Sequence, residues 1–210
     1  MGKLATLLEG VESPFEAKRN YIGASNIGHP CVRKIWYDFH DIEREELPSR
    51  TRRIFDVGHI LEAYIIEKVR EVTEVETREE AHCHHEYPWF KGHIDGYLPL
   101  YDALLEIKTA NHASFQKLQN HGLRTWNEQY YSQAQSYMGL SGVHECCLLA
   151  FDKNSAHFHD EWVGFDEIYY EHLLIKAKAI HDSETMPPRV SSNALFYLCK
   201  MCNYREVCHV

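Results

Sequence analysis

No window of the 210-residue sequence approaches the ~18 uninterrupted apolar residues of a membrane span. The opening MGKLATLLEGVESPFEAKRN lacks the long apolar run of an export signal, which points to a cytoplasmic chain. There are no internal repeats and no low-complexity tracts, so a solenoid or a disordered array is excluded. No helix-turn-helix or similar base-reading pattern is present, which argues against sequence-specific reading of DNA. Positive charge is scarce: 22 Lys and Arg face 31 Asp and Glu, for a net charge of -9. That balance disfavours a large phosphate-binding surface. The deficit is uneven, because residues 1–53 hold nine basic and eight acidic residues and the remainder holds 13 and 23. An acidic site that is offset by divalent cations accounts for such a balance as well.

Cysteine, by contrast, is plentiful. Seven cysteines without an export signal argue against a disulfide framework and for ligation of a metal or cluster by a well-spaced subset. The 44% hydrophobic and 25% charged composition is that of an ordinary folded chain. The length fits a single domain spanning residues 1–210, with a core over 52–164 and flanking segments at 20–50 and 187–210.

Apolar spacing predicts a helix from about Cys31 to before Pro48, and a second over Arg52–Val72 with Ile54, Val57, Leu61, Ile65 and Val69 on one side. Two or three strands follow between Glu76 and Lys108, of which HIDGYL and ALLEIKT are the clearest. Helices fit Ala113–His121 and Trp126–Leu140, strands Glu145–Asp152 and Ala156–Gly164, and a last helix Asp166–His181. This order predicts an α/β chain with a mixed central sheet flanked by helices.

Within HIDGYL, alternation places His93, Asp95 and Tyr97 on one face. Eleven residues after Asp95 comes Glu106-Ile107-Lys108, with Glu106 and Lys108 sharing a face of the next strand. Two carboxylates and an ammonium brought together suit Mg²⁺ or Mn²⁺ and phosphodiester hydrolysis. A surface salt bridge on an edge strand is the plainer alternative. Against it, Glu106 and Lys108 sit in an apolar run, where unpaired charge is costly. On the helix Trp126–Leu140, Trp126, Tyr130, Gln133, Tyr137 and Leu140 form one stripe in which Gln133 is the polar exception. Glu62, after Gly58-His59-Ile60-Leu61, supplies a further carboxylate, with His59 ranked behind it.

These four stretches, in this order, resemble the RecB-like branch of the PD-(D/E)XK nuclease superfamily. The matching elements are Gly58…Glu62, Gly92…Asp95-Gly96, Glu106…Lys108 and Gln133…Tyr137. The resemblance implies a restriction-endonuclease-like core and a divalent metal on Glu62, Asp95, Glu106 and the backbone carbonyl of Ile107. It also implies a catalytic Lys108, with Gln133 and Tyr137 supporting the site. The substrate it implies is DNA, mainly single-stranded.

Near the carboxyl end, Cys199, Cys202 and Cys208 lie within ten residues, and Cys31 is the best fourth ligand. Spacing alone leaves zinc and an iron–sulfur cluster both open. One amino-terminal and three carboxyl-terminal cysteines bracketing this core resemble the iron–sulfur exonucleases, among them CRISPR-associated and AddB-type nuclease domains. The resemblance implies a 4Fe-4S cluster on Cys31, Cys199, Cys202 and Cys208 that ties the two chain ends together. Cys146 and Cys147 read as core, and His82-Cys83-His84-His85 as a surface or hairpin string, since strand neighbours point apart.

Arg33, Lys34, Arg50, Arg52 and Arg53 form the densest basic group and are expected on phosphates. Trp89 and Phe90 offer stacking for unpaired bases, as do Trp36 and Tyr37, for which core packing is the favoured role. The competing function class is a DNA-binding or adaptor subunit with little catalysis, in a recombination or CRISPR-adaptation complex with protein partners. A zinc protein without nuclease action is a third.

Overall fold

A computed structural model of the chain describes residues 2–11, 20–77 and 80–209. Part of the amino-terminal stretch considered for export lies outside them. The elements run α1 (Lys3–Glu9), β1 (Ile22–Gly23), α2 (Val32–Phe39), α3 (Ser49–Arg70), β2 (His82–Cys83), β3 (Phe90–Gly92), β4 (Gly96–Leu98), β5 (Ala103–Ala110), α4 (His112–Trp126), α5 (Glu128–Ser141), β6 (Glu145–Asp152), β7 (Phe158–Gly164), α6 (Glu167–His181), α7 (Tyr197–Lys200) and α8 (Arg205–Cys208). A four-stranded sheet has the order β4-β5-β6-β7, and a small three-stranded sheet has the order β1-β3-β2. β5 and β6 are parallel, joined by the α4–α5 crossover, while β4 and β7 run antiparallel to their neighbours. The expected mixed sheet flanked by helices is thus present.

Alternation along β5 and β6 divides the core. Leu104, Cys146, Leu148 and Ala150 join the large cluster that also takes side chains from α2, α4, α5 and α6. Leu105, Ile107, Cys147 and Phe151 join Ile65 of α3 on the opposite face. A strand buried on both faces needs such a continuous apolar run, and the sequence of β5 supplies it up to the charged pair.

Several boundaries differ from expectation. α2 ends at Phe39 rather than before Pro48, because Asp41 turns the chain with a φ of 54°. α3 begins directly after Pro48. α4 continues past His121 to Trp126 but breaks at Gly122, whose φ of 73° suits glycine. Across that break the Leu123 N–H donates to a carboxylate oxygen of Glu161 at 2.7 Å, so β7 caps the restarted turn. α5 is fixed at its start by the Asn127 side chain, which accepts from Gln129 and Tyr130 N–H, and stops at Gly142 with a φ of 75°. Of HIDGYL only Gly96–Leu98 is paired strand, and His93 to Asp95 form the link from β3.

Candidate active site

β4 pairs with β5 only from Gly96↔Leu105 to Leu98↔Ala103. Beyond Leu105, no strand among the described residues pairs with β5 on that side, and Asp95 fills the gap. Its Oδ2 accepts the Ile107 N–H at 2.7 Å. A residue in an extended strand presents N–H and C=O to the same side, so the Ile107 carbonyl faces this edge too.

Glu106 and Lys108 project together from β5, as alternation requires, and their carboxylate and ammonium are in direct contact. From α5, Gln133 Nε2 donates to the same Glu106 oxygen, Oε1, at 2.7 Å and to the Tyr137 hydroxyl at 3.0 Å. Oε1 therefore has two donors, whereas Glu106 Oε2 is buried with none. An oxygen of a carboxylate that is only 1% exposed needs a partner. α3 closes the site from the other face of the sheet with Glu62, close enough to interact electrostatically with Asp95, His59 and Lys108.

The electrostatics reflect this crowding. Burial pushes Glu106 up to about 8, Asp95 adds to the shift, and Lys108 opposes it. Burial raises Asp95 as well, against Lys108, the Ile107 N–H and His59. Glu62 is raised by burial and by Asp95. Burial disfavours the Lys108 ammonium, but Glu106 and Asp95 outweigh it and hold the group above its ordinary value. Three carboxylates, with Asp95 raising the other two and Glu62 raising Glu106, are a site short of positive charge, and one ammonium does not supply enough.

The residues fit a divalent cation by this measure and by the unpartnered Oε2. Among the described residues, however, no group of three His, Cys, Asp or Glu side chains forms a ready-made metal cage. Glu62, Asp95, Glu106 and the Ile107 carbonyl are the oxygens at hand, the hard donor type that Mg²⁺ and Mn²⁺ take.

Ile107, Lys108, Glu62 and His59 line a cleft of about 610 Å³ that continues along α3 and past Lys34, Asp38 and Arg44 to Met201, Asn203 and Tyr204 of the carboxyl-terminal segment. Tyr130 also lines it, with its ring 4.9 Å from Lys108 Nζ. Read as part of a core stripe, Tyr130 had no role in the site; its place one turn before Gln133 was the available signal.

The four cysteines also meet. Cys31 caps the start of α2, Cys199 lies in α7, and Cys202 and Cys208 follow. All four line one small cavity of about 20 Å³, together with His29, Arg33 and His209. The buried Nε2 of His209 has no partner there, and nothing in the spacing of the cysteines marks this histidine. Burial raises the Cys199 and Cys202 thiols. Around the cavity the two chain ends are tied by Tyr204 donating to Asp38 at 2.7 Å and by Glu45 N–H donating to the Asn203 carbonyl at 2.8 Å.

Several expected DNA contacts are spent elsewhere. Arg33 is buried, donating to the Pro187 carbonyl at 2.6 Å and to Cys208 Sγ at 3.6 Å. Lys34 pairs with Asp38, Arg52 with Glu46 and the Leu47 carbonyl, and Arg53 with Glu9. Arg50 remains exposed. Phe90 is fully buried and Trp89 stacks on His181 at 4.1 Å, so neither ring is open to a base as expected. Tyr37 is buried and Trp36 donates to the Ser183 carbonyl, in keeping with core packing. Cys146 and Cys147 are core, and Cys83 is exposed. No described helix is long and apolar enough to cross a membrane.

Residues 15–144 match the YqaJ-like viral recombinase domain. The chain belongs to that family. No curated protein sequence is recognisably similar to it. Among solved structures it is similar to the alkaline exonuclease LHK-Exo from Laribacter hongkongensis, at 15% identity and a TM-score of 0.61 over 78% of this chain and 87% of that one. It is similar to a phage-related exonuclease from Haemophilus somnus 129PT, at 14% identity and a TM-score of 0.53 over 76% and 91%. SSO0001 matches over 99% of this chain and 96% of its own, at 15% identity and a TM-score of 0.58. At these identities the likeness is one of fold. A YqaJ-like domain with the mixed α/β fold of alkaline exonucleases is thus the setting for the Asp95–Glu106–Lys108 cluster.

Proposed function

We propose that this YqaJ-family chain is a divalent-metal-dependent deoxyribonuclease that removes nucleotides from DNA ends by phosphodiester hydrolysis, mainly on single strands. The observation that carries the reading is the mutual proximity of Glu62, Asp95, Glu106 and Lys108, beside a cleft that Glu62 and Lys108 line, with a buried Glu106 oxygen that has no partner among the described residues. The structural relatives named as exonucleases support it, and LHK-Exo also has a structure in complex with dAMP. Glu62, Asp95, Glu106 and the Ile107 carbonyl would hold the cation. When bound, such an ion lowers the pKa of water and neutralises charge on the phosphate. Asp95 orients the β5 edge through the Ile107 N–H. Gln133 and Lys108 together hold Glu106 Oε1, which leaves Oε2 directed away from them. Lys108, backed by Tyr130, keeps its proton and presents positive charge where the phosphate develops negative charge.

The thiol cavity supports the second part of the proposal, a structural 4Fe-4S cluster on Cys31, Cys199, Cys202 and Cys208. Four cysteines lining one cavity are of the residue type that suits soft-metal ligation, although among the described residues they do not form a ready-made metal cage. Zinc is the competing occupant of the same thiols. Anaerobic purification decides between them: a brown protein with iron and sulfide supports the cluster, and a colourless one with stoichiometric zinc removes it while leaving the nuclease proposal standing.

The test of the nuclease is cleavage of single-stranded DNA labelled at either end, with Mn²⁺ or with EDTA. Cleavage should need the metal, and Asp95→Ala and Lys108→Ala should each abolish it while remaining folded, with a cooperative melting transition. Metal-dependent cleavage by either purified variant would overturn the mechanism. DNA binding without cleavage in the wild type would favour an adaptor, working with protein partners in recombination or CRISPR adaptation.

A further inference from the structure

α3 faces the cleft with an unusual succession of residues. Ile54, Phe55, Gly58, His59 and Glu62 all line it. Phe55 is 45% exposed and Ile54 43%, although both sit in a cleft wall where burial is available. Met201, 88% exposed and in the cysteine-bearing segment, lines the same cleft. Between Phe55 and Glu62 lies Gly58, in the interior of a 22-residue helix.

Glycine inside a helix weakens it relative to alanine, so its presence calls for a local reason. The other helical glycines here have one within the protein. A Cβ on Gly139 would fall 2.4 Å from the Tyr170 ring. Among the described residues, a Cβ on Gly58 would meet nothing within 4 Å. Its φ is not of the kind that demands glycine either. Packing and backbone geometry both leave Gly58 unexplained, and what remains is room for something that lies against the helix.

We infer that the cleft-facing side of α3 is the seat of an unpaired DNA strand, with Gly58 left bare for the sugar–phosphate backbone and Phe55 receiving a base. The inference rests on the nuclease reading for the identity of the polymer and adds to it where the strand lies. Seven helical residues separate Phe55 from Glu62, about 10 Å along the axis. That is about three stacked nucleotide steps of 3.4 Å each. An exposed ring suits a base of any sequence, because every base has a stacking face. A base still paired in a duplex keeps its faces on its neighbours, so this subsite selects unpaired ends.

Binding of a fluorescein-labelled oligothymidylate by anisotropy, in EDTA so that no strand is cut, tests this with the full-length protein. Gly58→Ala and Gly58→Leu should melt no lower than the wild type, since both are better helix formers. Their affinity should fall in the order Gly, Ala, Leu. Phe55→Ala should lose about tenfold, and Phe55→Trp should retain binding. A flat series, with Gly58→Leu or, if that variant fails to fold, Gly58→Ala and Phe55→Ala binding like the wild type, overturns the inference. A wild type that cleaves with Mn²⁺ but gives a flat series loses only the strand seat. A graded series in a protein that never cleaves loses only the nuclease reading. A wild type that neither binds nor cleaves loses both.

Discussion

Replacing Gln133 by Leu probes how the ligand carboxylate is held. Gln133 is buried, and its Nε2 donates to Glu106 Oε1 at 2.7 Å and to Tyr137 at 3.0 Å. Leu has nearly the same volume, so the core closes without a large cavity. What disappears is a hydrogen bond to an ionised group, which contributes about 1.5–3 kcal/mol. At about 1.4 kcal/mol per factor of ten, that is roughly 10- to 100-fold in any equilibrium requiring the charged carboxylate. The partners of metal-bound side chains show about the same range when removed. The loss also pushes Glu106 further toward its protonated form, because the amide donor favours the charged one. The half-saturating Mn²⁺ concentration for cleavage should therefore rise 10- to 100-fold, and metal binding by calorimetry should weaken in parallel. Half-saturation within twofold of wild type, in a variant that melts normally, would refute the role given to Gln133.

Other perturbations follow from the same geometry. In the metal-free protein the folded state holds the Glu106 proton up to about pH 8 while the unfolded chain releases it near 4.5. Metal-free stability attributable to Glu106 should thus fall as pH rises through that window, and Glu106→Gln should flatten the dependence in pH-resolved melting. Gly92→Ala places a Cβ 2.5 Å from Tyr137 Cε1 and 2.9 Å from Ala24. It should destabilise the fold by about 1–3 kcal/mol and displace the ring that accepts from Gln133, read as a lower melting temperature with weaker metal dependence. Asp152 accepts from the Ser155 hydroxyl at 2.5 Å and the Asn154 N–H at 2.9 Å, and is paired with His112 at 2.6 Å. Although burial works against its charge, these partners hold its carboxyl well below the usual range. Its stabilisation is present above pH 3.8 and lost as pH falls toward the lowered folded value, so the deficit of Asp152→Ala should be full at neutral pH and shrink in strong acid.

How much of this was legible in the sequence depends on the range of the interaction. Glu106 and Lys108 were placed on one face by a two-residue period, and Gln133 and Tyr137 by one helical turn; both placements hold because they are set within one element. The order of the four short motifs sufficed to bring distant elements together. Arg33 and Arg53 are engaged by a carbonyl and a carboxylate contributed by other segments, Pro187 and Glu9, which the sequence does not signal. Phe90 was misread for a similar reason: its burial depends on pairing between β1, β2 and β3, strands too short to show a period. The break at Gly122 carries no local mark of the Glu161 carboxylate that caps it. Asp152-Lys153-Asn154-Ser155 reads as a turn, and its hold on His112, 40 residues earlier, is tertiary.

The shortness of β4 explains why the site lies where it does. Had β4 continued to pair past Leu105, the N–H and C=O of Ile107 would be consumed by a ladder and Asp95 would be one more strand residue. Because pairing stops, Asp95 takes the Ile107 N–H, and that bond sets its carboxylate beside Glu106 at a sheet edge. An edge is also the one place where Glu106, held from α5, and Glu62, carried by α3 on the opposite face, come close without crossing the sheet. The apolar alternation of β5 then excludes water from all but the open side. Burial, only partly offset by Lys108, is what raises Glu106 and Asp95. The structural feature that brings the carboxylates together is thus the same one that leaves them short of positive charge.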